Sequence, residues 1–232
     1  MQKIKKIILL LGLLILLGAG TGITWFIYEN IHFFITENAQ ITADMITITP
    51  EITGKLKTWD IQEGDMVKAG QVLGRQEIGM MVTNTAMNVQ ALSNSADSII
   101  SKTEIKSPIA GKVIQSNVIK GQVVAPGMEI ATIADTAYFY IKANIEETDI
   151  FRIKPGQKVD IWIDAYPRRG FQGLVESIGQ ATELAFNIFP SLNTSGEFTK
   201  VTQYIPVKIN IMNRGDLIFM PGMNAKVKIH IQ

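Results

Sequence analysis

The stretch GKLKTWDIQEGDMVKAGQVL, Gly54 to Leu73, carries three glycines, and their spacing returns 57 residues later. Gly54, Gly64 and Gly70 superpose on Gly111, Gly121 and Gly127. With them Lys55 falls on Lys112, Leu56 on Val113, Val67 on Val124 and Leu73 on Ile130, while Pro50 and Pro108 match to within one residue. Glycine serves where backbone must turn at positive φ or pass close to another chain. Three such positions at fixed intervals, with matching apolar residues between them, describe one small β-unit that occurs twice. A unit of about thirty residues cannot bury its apolar face alone. The two copies are therefore expected to pack face to face as one sandwich, with the six glycines as its structural turns.

Outside the repeat the chain alternates. In YFYIKANIEE, Phe139, Ile141, Ala143 and Ile145 share one face, with Lys142, Asn144 and Glu146 on the other. KVDIWIDAY repeats the pattern with Val159, Ile161, Ile163 and Ala165, and QYIPVKINI with Ile205, Val207, Ile209 and Ile211. The last such segment, NAKVKIHIQ, uses Ala225, Val227, Ile229 and Ile231, which turns His230 outward. Ile, Val, Tyr and Trp at period two describe half-buried strands. Pro206 falls on the polar side of its strand, which suggests a sheet edge.

The N-terminus reads differently. Ile7 to Ile27 holds 21 residues without a charge, about 31 Å as a helix and close to the hydrocarbon thickness of a bilayer. Lys3, Lys5 and Lys6 precede it, which keeps that end in the cytoplasm, and Trp25 and Tyr28 fall where amphipathic rings settle at the far boundary. The rival reading is a cleaved signal peptide, since GAGTG, Gly18 to Gly22, is rich in small residues, but the apolar run is longer than a usual signal core. Gly18 and Gly22 also form a small-xxx-small pair that would let another membrane helix approach. The fold class expected is mainly β: an N-terminal transmembrane helix, a split sandwich and a β-barrel domain, the bulk of it extracytoplasmic.

Composition narrows the function. The 232 residues carry a formal charge of +1, which gives no electrostatic reason to expect nucleic acid. There is no cysteine, so disulfides, thiol chemistry and thiolate metal sites are excluded. The two histidines, His32 and His230, lie far apart and outside any recognisable motif. No nucleophile–base pair, phosphate-cradling loop or metal-ligand cluster is recognisable. No catalytic, cofactor-binding or metal residue is assigned, and no cofactor and no enzyme activity are expected.

The repeated segments, ITPEITGKLKTWDIQEGDMVKAGQVLGRQE and IKSPIAGKVIQSNVIKGQVVAPGMEIATIAD, resemble the two halves of a biotinyl/lipoyl-like domain. In carrier domains of that type the halves meet in a hairpin presenting a lysine flanked by methionines. Here Lys102, within ISKTE, is the only lysine between them and lacks that flanking, so a carrier role is disfavoured. Split lipoyl halves behind one membrane helix instead resemble the membrane fusion proteins, or periplasmic adaptors, of the HlyD and EmrA type. ENAQITADMITITPEITG resembles that family's strand leading into the first half, YFYIKANIEETDIFRIKPGQKVDIWIDAYPRRGFQGLVESIG its barrel, and SGEFTKVTQYIPVKI the EmrA branch. The resemblance covers roughly residues 36–232. It implies a cytoplasmic basic end at 1–6, a transmembrane helix at 7–28, a strand leading into the barrel at 29–47, and lipoyl halves at 48–77 and 105–135. An insert fills 78–104, and the barrel takes 136–232.

By the same resemblance the expected role is that of a single-pass adaptor in an efflux or secretion complex, set on the outer face of an integral membrane transporter and assembling as a homo-oligomer. A major facilitator drug/H+ antiporter is the first choice of partner, an ABC exporter of peptides the second. An extracytoplasmic ligand-binding protein without a transporter is the alternative from another class. The insert departs from the family pattern. Long adaptors place a coiled-coil hairpin there that reaches a TolC-type outer-membrane channel, whereas 27 residues rich in Asn, Ser and Thr allow helices of only about 20 Å. Met87, Leu92, Ala96 and Ile99 suit at most a short amphipathic stub, so no outer-membrane channel is expected. Partner contacts are sought at Arg168 and Arg169 in the YPRRGF turn, at Phe186 and Phe189 in the TELAFNIFPSLNTSGEF loop, and at Gly18 and Gly22. The two arginines make either a solvated tip or a contact to phospholipid headgroups or an acidic transporter surface. The loop either folds back over the barrel or forms a contact surface. Glu146, Glu147 and Asp149 are expected to cap a short helical turn over TDIFRI.

Overall fold

A computed structural model describes residues 2–77, 102–186, 202–215 and 217–231, with the side chains of 2–11, 13, 26, 27, 30, 183 and 186 outside the described set. Helix α1 (Gln2–His32) leads directly into β1 (Phe33–Ile48). The remaining strands are β2 (Gly54–Trp59), β3 (Met66–Val67), β4 (Val72–Glu77), β5 (Glu104–Lys106), β6 (Gly111–Ser116), β7 (Val123–Val124) and β8 (Ala131–Glu146). After them come β9 (Lys158–Ile163), β10 (Gly170–Ile178), β11 (Tyr204–Ile211) and β12 (Asn224–His230). The chain divides into two units, 1–42 with 140–232, and 43–139; the long strands β1 and β8 contribute to both.

In the first unit the strands follow the order β1-β12-β9-β10-β11-β8, and β1 also pairs with β8, so the row returns to its start. The alternation seen in the sequence decides which side faces in. Ile141, Ala143, Ile145, Ile161, Val207, Ile209, Val227 and Ile229 are fully buried, and Val159, Ile163 and Ala225 nearly so. Each fully buried isoleucine contributes on the order of 1.5–3 kcal/mol over its exposed state. Ala165 departs from its expected face because β9 stops at Ile163 and the alternation stops with it. Pro206 does not mark an edge strand, for β11 lies between β10 and β8. Its ring is accommodated because β10 has run out beside it: the last paired residue there is Ile178, and the Gly179 N–H donates to the Pro206 carbonyl at 2.7 Å.

Register fixes the two ends of this barrel. Phe33 lies opposite His230, Val159 opposite Ile229, Leu174 opposite Lys158, Ile178 opposite Val207 and Tyr204 opposite Glu146. These residues make the end that receives α1. Gln40 opposite Asn224, Ile163 opposite Ala225 and Gly170 opposite Trp162 make the other end, one seven-residue strand away, or about 20 Å. Helix α1 is tied to the near end by the Ile231 N–H donating to the His32 carbonyl at 2.7 Å and by Lys228 with Glu29 at 3.1 Å. It runs through His32, so 29–32, expected in the leading strand, are helical. Among the described residues no helix is long and apolar enough to cross a membrane.

The second unit is the expected sandwich. One sheet has the order β5-β4-β2-β7; facing it, β3 pairs with β6 and β6 with the first part of β8. Its core is Ile48, Leu56, Ile61, Val67, Leu73, Ile105, Val113, Val118, Val124, Ile130, Ala131 and Ile133. The second half starts at Glu104, one residue before the expected boundary. The stub residues Met87, Leu92, Ala96 and Ile99 lie outside the described residues.

Candidate functional site

The sandwich is built by exchange. Each half contributes a short strand that pairs with the other half: β3 with β6 through Met66–Lys112 and Val67–Gly111, and β7 with β2 through Val123–Lys55 and Val124–Gly54. The turn before each short strand is bonded the same way. The Gly64 N–H donates to the Val113 carbonyl and the Gly121 N–H to the Leu56 carbonyl, both at 2.8 Å. In return the Val113 N–H donates to Asp65 at 2.9 Å and the Leu56 N–H to Gln122 at 2.8 Å. A shift of 57 residues carries Gly64 onto Gly121 and Leu56 onto Val113, so each contact recurs with the halves exchanged and the sandwich is nearly two-fold symmetric. The Trp59 indole N–H donates to the Ser116 hydroxyl at 2.9 Å; the two hold the same place in the repeat and meet between the halves. Extending the glycine repeat by five residues would have found this pair.

The six glycines divide by cause. Gly64, Gly70, Gly121 and Gly127 have φ of 96°, 78°, 91° and 86°, a backbone that side chains with a Cβ rarely adopt. Gly54 and Gly111 are strand residues set by close approach. A Cβ on Gly111 would stand 2.2 Å from the Ala134 carbonyl oxygen.

The expected contact residues lie in separate places. Arg168 and Arg169 are exposed in the β9–β10 turn at the far end of the barrel, about one strand length from α1. The Arg169 guanidinium sits 5.9 Å from the centre of the Phe171 ring. Phe171 packs edge-on to Phe219 at 5.8 Å, and the Tyr166 hydroxyl donates to the Ile218 carbonyl at 2.7 Å. This fastens the turn to the β11–β12 loop. Exposed Met212, Ile218 and Met220 share that loop. Gly18 and Gly22 lie exposed on α1 with nothing within 4 Å of an added Cβ. Phe186 ends a short 3-10 turn, Glu183–Phe186, with its side chain outside the described set, as is all of Phe189. Asp149 precedes the 3-10 turn Ile150–Arg152 but makes no side-chain cap; it pairs instead with Arg152 at 3.4 Å.

Charge is arranged as local pairs. His230 bonds Asp160 at 2.7 Å on the outer face of the barrel. Glu104 is held below the usual carboxylate range by its hydrogen bonds from Lys106 and Arg75, and Glu37 by that from Lys226. Among the described residues no three His, Asp or Glu side chains gather to hold a metal ion. A cavity of about 690 Å³ opens at the near end, lined by Glu29, Ile31, Phe33, Phe34, Ile35, Asp149 and Arg152.

Comparison with known proteins decides the class. The family model for the RND membrane fusion protein barrel-sandwich hybrid domain matches residues 44–136, and that for the YknX-like β-barrel domain matches 139–229. "Putative efflux system component YhbJ" of Bacillus subtilis is 37% identical over 220 residues, covering 95% of this chain and 90% of that protein. The chain is a membrane fusion protein. As such it belongs to a family of adaptors without enzymatic activity. It is also similar to "Colistin resistance protein EmrA" of Acinetobacter baumannii, 33% identical over 57% of this chain but only 38% of that longer protein. Among solved structures, a MacA–MexA chimera containing the Pseudomonas aeruginosa MexA α-hairpin domain shares the fold, with TM-score 0.68 at 19% identity over 87% of this chain and 82% of that one.

Proposed function

We propose that this membrane fusion protein is a single-pass adaptor subunit of an efflux complex, held on the outer face of the cytoplasmic membrane against an integral membrane transporter. The observation that carries the reading is the direct, pinned junction of α1 with the barrel. The uncharged run of residues 7–27 supplies an anchor, with Lys3, Lys5 and Lys6 retained in the cytoplasm. Trp25 and Tyr28, 70% and 55% exposed, supply the boundary rings. With the helix bonded to β12, the barrel stays at the membrane surface, where a transporter is met. The relatives named as efflux and resistance proteins support export as the task.

A major facilitator drug/H+ antiporter is the first partner class, from the likeness to EmrA, and an ABC exporter the second. Several copies would line the exit path. The short insert at 78–104 is too small to reach an outer-membrane channel. Arg168 and Arg169, at the barrel end away from α1, are better placed for a protein surface than for headgroups. The test is affinity purification of the tagged full chain from membranes in mild detergent, followed by mass spectrometry. Recovery of a polytopic transporter in stoichiometric yield supports the proposal. Recovery of the chain alone, with or without chemical cross-linking, contradicts it.

A further inference from the structure

The near end of the barrel carries an exposed aromatic that no part of the fold explains. Phe151 lies between buried Ile150 and Ile153 but is itself 84% exposed, the most exposed large apolar residue among those described. It sits in the 3-10 turn that follows β8, and Asp149 and Arg152 of the same turn line one cavity with Glu29 and Ile31 of α1. The turn is therefore beside the last turn of the helix. Ile31 and Ile35 add further exposed apolar surface at 59% and 44%; exposed Lys154 and Lys158 follow the turn, and exposed Glu146 and Glu147 precede it.

We infer that this turn docks into the lipid headgroup layer, with Phe151 as a second, shallow membrane contact beside α1. The inference rests on the anchoring proposed above, since Trp25 and Tyr28 set the height of the interface only if α1 spans. An exposed phenylalanine gains free energy by leaving water for the acyl boundary, and neighbouring lysines are attracted to lipid phosphates there. Two contacts, a helix and a turn that border the same cavity, would fix the tilt of the barrel on the membrane, which a single helix leaves free. A transporter surface is the competing occupant; the closeness of the turn to the helix end favours lipid.

The chain has no cysteine, so single-cysteine labelling has no background. Full-length F151C, W25C and I218C, each carrying an environment-sensitive fluorophore, are reconstituted without any transporter into phosphatidylcholine/phosphatidylglycerol vesicles. Ile218 is exposed at the far end of the barrel. The expected result is a blue-shifted emission, quenched by nitroxide-labelled lipid, for W25C and F151C, and neither effect for I218C. A response from W25C without one from F151C overturns the inference and leaves the anchor standing, as does a shift at F151C that appears only with a co-purified transporter. Silence from W25C overturns the anchor and the inference together.

Discussion

Gly54 and Gly111 hold the same place in the two halves of one sandwich, yet their neighbours differ. At Gly111 the backbone of β8 passes so close that an added Cβ would meet the Ala134 oxygen at 2.2 Å. At Gly54 the nearest atoms, Gln76 Cβ and the Glu77 oxygen, are 3.1 Å away. The reciprocal bonds of Gly64 and Gly121, by contrast, are equal in length. The symmetry is thus kept where the halves hold each other and relaxed where β8 runs on as a sixteen-residue strand that contributes to the barrel as well. The turns belong to the repeat, and the strand crossing belongs to the whole chain.

That contrast can be challenged by substitution, measured as denaturant unfolding of the full chain. Leu73→Ala and Ile130→Ala remove equivalent, fully buried side chains, and each is expected to lose about 2–5 kcal/mol, with similar values for the two halves. A loss confined to one of them would mean that the halves do not share one core. Gly111→Ala is expected to cost about 3 kcal/mol against about 1 kcal/mol for Gly54→Ala, because a Cβ 2.2 Å from the Ala134 oxygen forces the strands apart, whereas neighbours at 3.1 Å need give only slightly. Equal costs would remove the asymmetry argued above. Gly64→Ala and Gly121→Ala are expected to cost about 1–2 kcal/mol each, and equally, since the strain at positive φ is the same.

The smallest effect is electrostatic. The depressed Glu104 carboxyl, paired with Lys106 and Arg75 between β4 and β5, gives stability that is present at neutral pH and lost as pH falls through its lowered pKa. Glu104→Gln is expected to flatten that acid limb slightly and leave stability above pH 7 almost unchanged. An unaltered acid limb would show that these exposed pairs contribute nothing measurable.

Much of this was legible in the residues. Period-two alternation located β8, β9, β11 and β12 and their buried faces, because a strand with one wet side must alternate. The glycine spacing located the two halves, because tight turns leave few choices of residue. What was not legible depended on where neighbours end. Pro206 suggested an edge, but it is tolerated inside the row because β10 stops beside it. Ala165 continued the alternation on paper while the strand stopped two residues earlier. Asp149 had the composition of a cap and found an arginine instead. Trp59 and Ser116 were legible as equivalent positions five residues past Gly54 and Gly111, but that equivalent residues meet follows from the symmetry of the folded halves. Phe151 carried no signal of its own in the sequence, and only its exposure between buried Ile150 and Ile153 shows it turned to solvent.

Native-state amide hydrogen exchange tests the reciprocal construction most directly, because all four amides in question bond across the halves. Leu56, Gly64, Val113 and Gly121 are expected to open in a single step, converging on one free energy as denaturant is raised. Exchange in two separate steps, with Gly64 and Val113 opening at a lower free energy than Leu56 and Gly121 or the reverse, would contradict it.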